Sequence, residues 1–158
     1  MLDTVTRVNS INGIKYADDD TIMSWQLSNE PRTKDCVQYQ NWIADIGGLI
    51  KELDSVHLVS LGNEGTITPC AHEAAIMDEL DYLTFHCWAQ NWNWYDPMEP
   101  DLDDTFATVD EYLEDNVAIA RSVGKPIVLE EFGLSRDYGS YDFDSSIDNK
   151  NLYYEHIF

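Results

Sequence analysis

Apolar residues along this chain fall into two rhythms. Four short blocks, residues 22–28 (IMSWQLS), 57–62 (HLVSLG), 82–88 (YLTFHCW) and 126–131 (PIVLEE), are compact, apolar and bounded by turn residues. That is the pattern of strands buried on both faces. Between the first two blocks the period changes to three and four. Trp42, Ile43, Ile46, Leu49, Ile50 and Leu53 fall on one face, predicting a helix over 36–53 with Asp35 as its N-cap. Gly47 and Gly48 lie inside it and should weaken it by about 1 kcal/mol each relative to Ala. A second helix is predicted from Thr108, where T-V-D-E has the form of a capping box. It carries Val109, Leu113, Val117 and Ala120 inward and stops at Gly124. A shorter helix is expected over 71–80, and Leu152-Tyr153-Tyr154 opens a further one.

Strand, helix, strand, helix in this order is the signature of parallel βα units, either a (β/α)8 barrel or an open doubly wound sheet. No GxGxxG or P-loop follows any of the blocks, so the nucleotide-binding open sheets lose their main support. The barrel is favoured. Four units amount to half of one, and complete barrels run to about 250 residues. The 158 residues are therefore expected to be an incomplete fragment, one partial catalytic domain spanning 1–158.

Composition narrows the partners. The chain holds 9 Lys+Arg against 30 Asp+Glu, a formal net charge of -21, which repels phosphate backbones and anionic lipid. Nucleic acid and membrane surfaces are poor partners, whereas neutral polymers remain acceptable. No apolar run reaches the roughly 20 residues needed to span a bilayer, and the first ten residues have no signal-peptide core. Cys36, Cys70 and Cys87 are odd in number and widely spaced, defining neither a disulfide framework nor a zinc motif.

In a barrel, chemistry gathers where strands end, because the loops there converge on one pocket. The four predicted strand ends carry Asn29-Glu30, Asn63-Glu64, His86 with Trp88, and Glu130-Glu131. Core packing has no use for carboxylates in three such places, since burying an unpaired charge costs several kcal/mol. Paired carboxylates facing a pocket are the equipment of glycoside hydrolysis. The loop CWAQNWNWYDP adds Trp88, Trp92, Trp94 and Tyr95 among Gln90, Asn91 and Asn93. Such rings give sugars a stacking surface and the amides reach hydroxyls, although at least one tryptophan is expected to close the core below.

Four motifs in order, TIMSWQLSNEPR, LVSLGNEG, DYLTFHCWAQNWNWYDP and GKPIVLEEFGLSRD, resemble glycoside hydrolase family 5, in particular its endo-β-1,4-mannanases. The resemblance implies that Glu30 is the general acid/base, Glu131 the nucleophile, and Asn29 a ligand of the 2-hydroxyl in the reacting subsite. It places Glu64 along the substrate cleft, Arg32 on the leaving-group side, and His86 and Trp88 beside the nucleophile. Glu130 is left as a structural ion-pair partner, a choice that strand periodicity cannot make. The implied reaction is double displacement on β-mannan with retention. No cofactor or metal is called for. The chain would correspond to strands four to seven of the barrel, inactive by itself, from a secreted enzyme that is monomeric when complete.

Two rivals are kept. A cellulase or other β-1,4-glycanase would share the carboxylates and differ in how it accepts an axial or equatorial 2-hydroxyl. A non-catalytic carbohydrate-binding protein would explain the tryptophans but not the paired glutamates. A metallohydrolase has less support, because His57, His72, His86 and His156 are scattered and His72-Glu73 does not continue into HExxH.

Overall fold

The computed structural model describes residues 2–158 and contains four strands that all run the same way. They alternate with helices: α1 (Leu2–Val5), β1 (Ser24–Gln26), α2 (Cys36–Leu53), β2 (Leu58–Ser60), α3 (Ala71–Ala75), β3 (Leu83–Cys87), α4 (Leu102–Val123), β4 (Ile127–Phe132) and α5 (Asp148–Ile157). β1 pairs in parallel with β2, Trp25 opposite Val59, and β3 with β4, Phe85 opposite Leu129. The β1–β2 ladder outlasts its regular stretch, with Leu27 N–H donating to Ser60 O at 3.0 Å and Glu30 N–H to Gly62 O at 2.8 Å. β2 and β3 are neighbours without a regular ladder. Asp81 N–H reaches Val59 O at 2.9 Å, His86 N–H reaches Glu64 O at 3.2 Å, and Thr84 Oγ1 donates to Asn63 O at 3.2 Å. Strands in chain order, each followed by a helix, make an arc of a (β/α)8 barrel.

All four strands lie within the predicted blocks, apart from Phe132 at the end of β4. Their alternation sends Trp25, Val59 and Leu61 into a core with Tyr39, Ile43 and Ile50 of α2, and Phe85 and Cys87 into a second core with Val109, Tyr112 and Tyr153. α2 spans its predicted residues, and Asp35 accepts the Gln38 N–H at 3.0 Å as an N-cap should. Gly47 proves to be a packing requirement. A Cβ there would lie 2.7 Å from Glu79 Cβ, whereas one at Gly48 would meet nothing.

α4 departs from expectation at its start. Its N-cap is Asp101, whose carboxylate accepts the Asp104 N–H at 3.0 Å. Thr108 lies a turn and a half inside, its hydroxyl returned to Asp104 O at 3.1 Å. The acidic run before Thr108 reads as solvated loop, yet Asp103 and Asp104 sit in the first turn, where the helix dipole favours negative charge. The end is as predicted: Gly124 caps the helix with φ 68. α3 stops at Ala75, and residues 76–80 continue as turns.

The cysteine expectation is corrected. Cys36 and Cys70 form a disulfide, with Cα atoms 5.3 Å apart and a sequence separation of 34. Cys36 opens α2 and Cys70 is the residue before α3. Only the side-by-side placement of β1 and β2 brings these two starts together, a tertiary fact that spacing does not carry. Cys87 is free and buried.

Candidate active site

The site is assembled where the four strands end. Past β1 the backbone turns sharply, and Glu30 takes a left-handed conformation with φ 48, uncommon for a residue with a side chain and a marker of functional strain. Its neighbour across the ladder has no room for a side chain. A Cβ on Gly62, at φ 79, would fall 1.9 Å from Ser28 O. The close approach of these two loops holds the Glu30 N–H on Gly62 O and aims the carboxylate across the strand ends.

His86, at the end of β3 and 1 % exposed, receives that carboxylate. Its Nδ1 is 2.8 Å from Glu30 Oε1 and 3.4 Å from Glu131 Oε2, and its Nε2 is 3.8 Å from Glu130 Oε2. Burial alone would pull the imidazole pKa down. The carboxylates of Glu130 and Glu30, the latter hydrogen-bonded, with the charge of Glu131, outweigh it and raise the pKa. Glu131 is held from its other side by Trp88, whose indole N–H donates to Oε2 at 3.0 Å.

Adjacent residues of a strand ordinarily face opposite sides, so Glu130 and Glu131 should not both serve one pocket. The β3–β4 register resolves this. Phe85 faces Leu129 but His86 faces Glu131, so Glu130 is an extra residue at an irregular step. Both carboxylates then flank His86. Glu130 also accepts from Gln26 Nε2 at 2.6 Å.

A second group lies beside the first. Glu64, 1 % exposed, accepts from Arg32 Nη2 at 2.6 Å through Oε1, while its Oε2 has no hydrogen-bond partner. Arg32 also stands 3.8 Å from Glu30 Oε2. Arg32 and Glu64, with Ile67, Thr68, Pro69 and Trp92, line a cavity of about 150 Å3. A buried carboxylate oxygen without a partner is a group whose demand for a donor is unmet.

The structure thus brings Glu30, His86, Glu131 and Trp88 together, with Arg32, Glu64 and Trp92 alongside. Asn29 is exposed at the rim. Trp94 packs edge-on against Trp92 and Tyr112, with ring centres 4.9 and 5.3 Å away, and is half-buried in the second core. Residues without a sequence signal also take part. Tyr112 and Asn116, buried on α4, grip the Glu64 loop: the Tyr112 hydroxyl donates to Glu64 O, and Asn116 Oδ1 accepts the Thr66 N–H at 3.0 Å. Gly65, at φ 93, fits between them, since a Cβ would lie 2.3 Å from Asn116 Oδ1. Tyr112 reads as one more apolar position of a helix, and the glycine in N-E-G was the only available hint.

Among the described residues, Glu30, His86 and Glu131 form the one group able to offer three metal-ligand atoms, all within 4.8 Å of one another. No second histidine joins this group. In this chain the His86 Nδ1 is engaged by Glu30, so the trio forms a hydrogen-bonded carboxylate pair about an imidazole.

Comparison with known proteins agrees with this geometry. The family profile described as GH family 5 beta-mannosidase-like matches residues 1–158. Mannan endo-1,4-beta-mannosidase 1 of Solanum lycopersicum is 31% identical over 94% of this chain and 42% of its own length. The protein of the same name from Arabidopsis thaliana is 27% identical over 98% of this chain and 41% of its own. A glycoside hydrolase family 5 mannosidase from Rhizomucor miehei superposes with a TM-score of 0.88 at 34% identity, covering 98% of this chain and 39% of that one. A single glutamate-to-alanine mutant of it has been crystallised in complex with mannosyl-fructose. The endo-beta-1,4-mannanase from Thermotoga petrophila gives 0.74 at 26% identity, covering 86% of this chain and 33% of that one. The chain spans about two fifths of the length of the curated relatives it matches.

Proposed function

We propose that this chain, which belongs to glycoside hydrolase family 5 in its β-mannosidase-like branch, supplies the catalytic carboxylates of a retaining endo-β-1,4-mannanase. The observation that carries the reading is the meeting of Glu30 and Glu131 about His86, with oxygen atoms within 4.8 Å. Retaining glycosidases place their carboxyl groups about 5 to 5.5 Å apart, whereas inverting ones need room for a water between them. Glu131 attacks the anomeric carbon and forms a glycosyl-enzyme as the bond to the leaving oxygen breaks. Protonated Glu30 gives its proton to that oxygen. Glu30, now a base, takes a proton from water, which attacks the same carbon and releases Glu131.

The surroundings support these roles. Trp88 fixes one oxygen of Glu131 and leaves the other for attack. His86 tethers Glu30 at the opposite face. Arg32, Glu64 and Trp92 line a polar and aromatic cavity suited to a leaving-group sugar. Asn29, exposed beside Glu30, is the proposed ligand of the 2-hydroxyl. β-Mannan, galactomannan and glucomannan are the proposed polymers, and the names of the curated relatives favour them over cellulose. The 158 residues act as one partial catalytic domain. The disulfide suits an oxidising, extracytoplasmic setting, in keeping with a secreted enzyme, monomeric once its barrel is complete.

A second reading is a mannosidase acting on short substrates, favoured by the higher TM-score to the Rhizomucor miehei mannosidase than to the Thermotoga petrophila mannanase. Both are tested on a polypeptide carrying this chain together with the remaining strands. Such a protein is expected to hydrolyse galactomannan faster than carboxymethylcellulose and to release oligosaccharides with the β configuration. Glu30→Gln or Glu131→Gln should lower kcat by at least about a hundredfold. First-formed α product would overturn the retaining mechanism. Preference for carboxymethylcellulose would make it a cellulase, release of mannose alone would establish the second reading, and binding without hydrolysis would leave a carbohydrate-binding protein.

A further inference from the structure

Trp88 also borders a second open cavity, whose lining includes neither Glu30 nor Glu131. It measures about 390 Å3 and is walled by Trp88, Gln90, Asn91, Phe132, Tyr141 and Tyr154, within the size range of small-molecule sites. The indole that donates to Glu131 forms one wall, and Phe132 and Gly133, which follow Glu131 in the chain, form part of another. Trp88 lies against the backbone here because Gly133 allows it: a Cβ at that position would sit 2.9 Å from Trp88 Cζ3. Gln90 Oε1 accepts the Ser135 N–H at 3.1 Å, which fixes the amide and turns its NH2 group outward as a donor.

The opposite wall is built on a loop that is tied at its base and bare at its tip. Asp137 N–H donates to Ser146 O at 3.0 Å, Arg136 Nη1 to Ser145 O at 3.0 Å, and Asn149 N–H to the buried Asp137 carboxylate at 3.3 Å. A loop closed in this way is a compact Ω-type excursion, and such loops are frequently functional. Yet it displays Tyr141 fully exposed (100%) and Phe143 at 93%. Large rings held out on an ordered loop beside a cavity mark an interaction site.

The geometry points to an accessory sugar-binding subsite in which Tyr141 stacks on one pyranose ring of a manno-oligosaccharide whose neighbouring residues reach Glu131. The ligand class follows from the lining. No carboxylate lines the cavity, and the single cation, Lys150, lies over the Tyr154 ring at 5.6 Å. Two primary amides and two phenols offer neutral hydrogen bonding with flat apolar faces. A polyhydroxylated, uncharged ring satisfies both. A chain of net charge -21 also disfavours acidic sugars and a second copy of itself. The inference rests on the glycosidase reading and extends its cleft across Trp88.

The test is titration of the 158-residue chain with mannotetraose and cellotetraose by calorimetry, with Tyr141→Ala, Tyr141→Phe and Tyr138→Ala. Tyr141 buries nothing, so its replacement should leave folding intact, checked by circular dichroism. Mannotetraose is expected to bind, weakened about tenfold in Tyr141→Ala and less than about twofold in the other two. Equal affinity of Tyr141→Ala and the parent overturns the subsite. So does an equal loss in Tyr138→Ala, self-association that Tyr141→Ala abolishes, or no binding of either sugar. Tyr141-dependent binding of cellotetraose alone keeps the subsite and removes the mannan assignment.

Discussion

Glu64 shows how far a single residue's position depends on others that no motif contains. Its carbonyl is held by Tyr112 and by the His86 N–H, its carboxylate by Arg32, and its neighbour Gly65 fills a space with none to spare. Gly65→Ala should therefore cost about 1 to 3 kcal/mol, from the strained φ and the displaced Asn116, as read from a shift in the urea midpoint. Tyr112→Phe keeps the ring contacts to Trp92 and Trp94 and loses one buried hydrogen bond, a loss of about 1 kcal/mol. The histidines give stability a pH dependence. The pKa of His57 is raised by its hydrogen bond to Asp54, and that of His86 by Glu130 and Glu30 against the pull of burial. Their protonated forms favour the folded chain, so this contribution is present below about pH 6.5 and lost as pH rises through the folded-state values. The urea midpoint should fall between pH 6 and pH 9, and the fall should be smaller in His57→Gln. The residues meeting at the site were legible where a charged or aromatic side chain ended an apolar block, as at Glu30, Glu64, His86 and Glu131. Tyr112, Asn116 and Gln26 were not, because a buried polar residue looks ordinary until its partner from another element is known.

At the scale of elements, apolar period and capping chemistry located most of the architecture, and misses arose where distant segments decide. α2 was readable from one stripe and one cap. The beginning of α4 was not, since its acidic first turn imitates solvent-exposed loop. Asp101→Ala should destabilise the chain by about 1 kcal/mol, with Thr108→Ala nearly neutral, measured by thermal unfolding. The disulfide is the clearest case. It joins the loops that carry Arg32 and Glu64 by linking the starts of α2 and α3. Closing a loop of 34 residues restricts the unfolded chain by about 3 to 4 kcal/mol. Dithiothreitol should therefore lower Tm by several degrees, and Cys36→Ser should match the reduced protein. Cys87→Ser removes no crosslink, so its Tm should fall on reduction as the parent's does.

The whole molecule is an arc of four parallel units, and its two outer strands present free ladder edges among the described residues. Sheet edges of this kind invite association, opposed here by a net charge of -21. Added salt screens that repulsion, so light scattering at 0.5 M NaCl should show more aggregation than at 0.02 M. The isolated arc is expected to turn over galactomannan far more slowly than a complete homologue, because only part of the cleft wall is present to orient the sugar. The barrel class was legible from the order of elements together with the lack of a GxGxxG or P-loop after any strand. The irregular step that seats Glu130 beside Glu131 was not, because alternation assumes an unbroken ladder. Its consequence concerns length more than identity. In a randomised library of residues 127–131, exchanges at Val128 should survive selection for hydrolysis, whereas single-codon insertions and deletions should vanish. Each would slide the strand past His86 by one place and put the Glu131 carboxylate out of phase with that of Glu30.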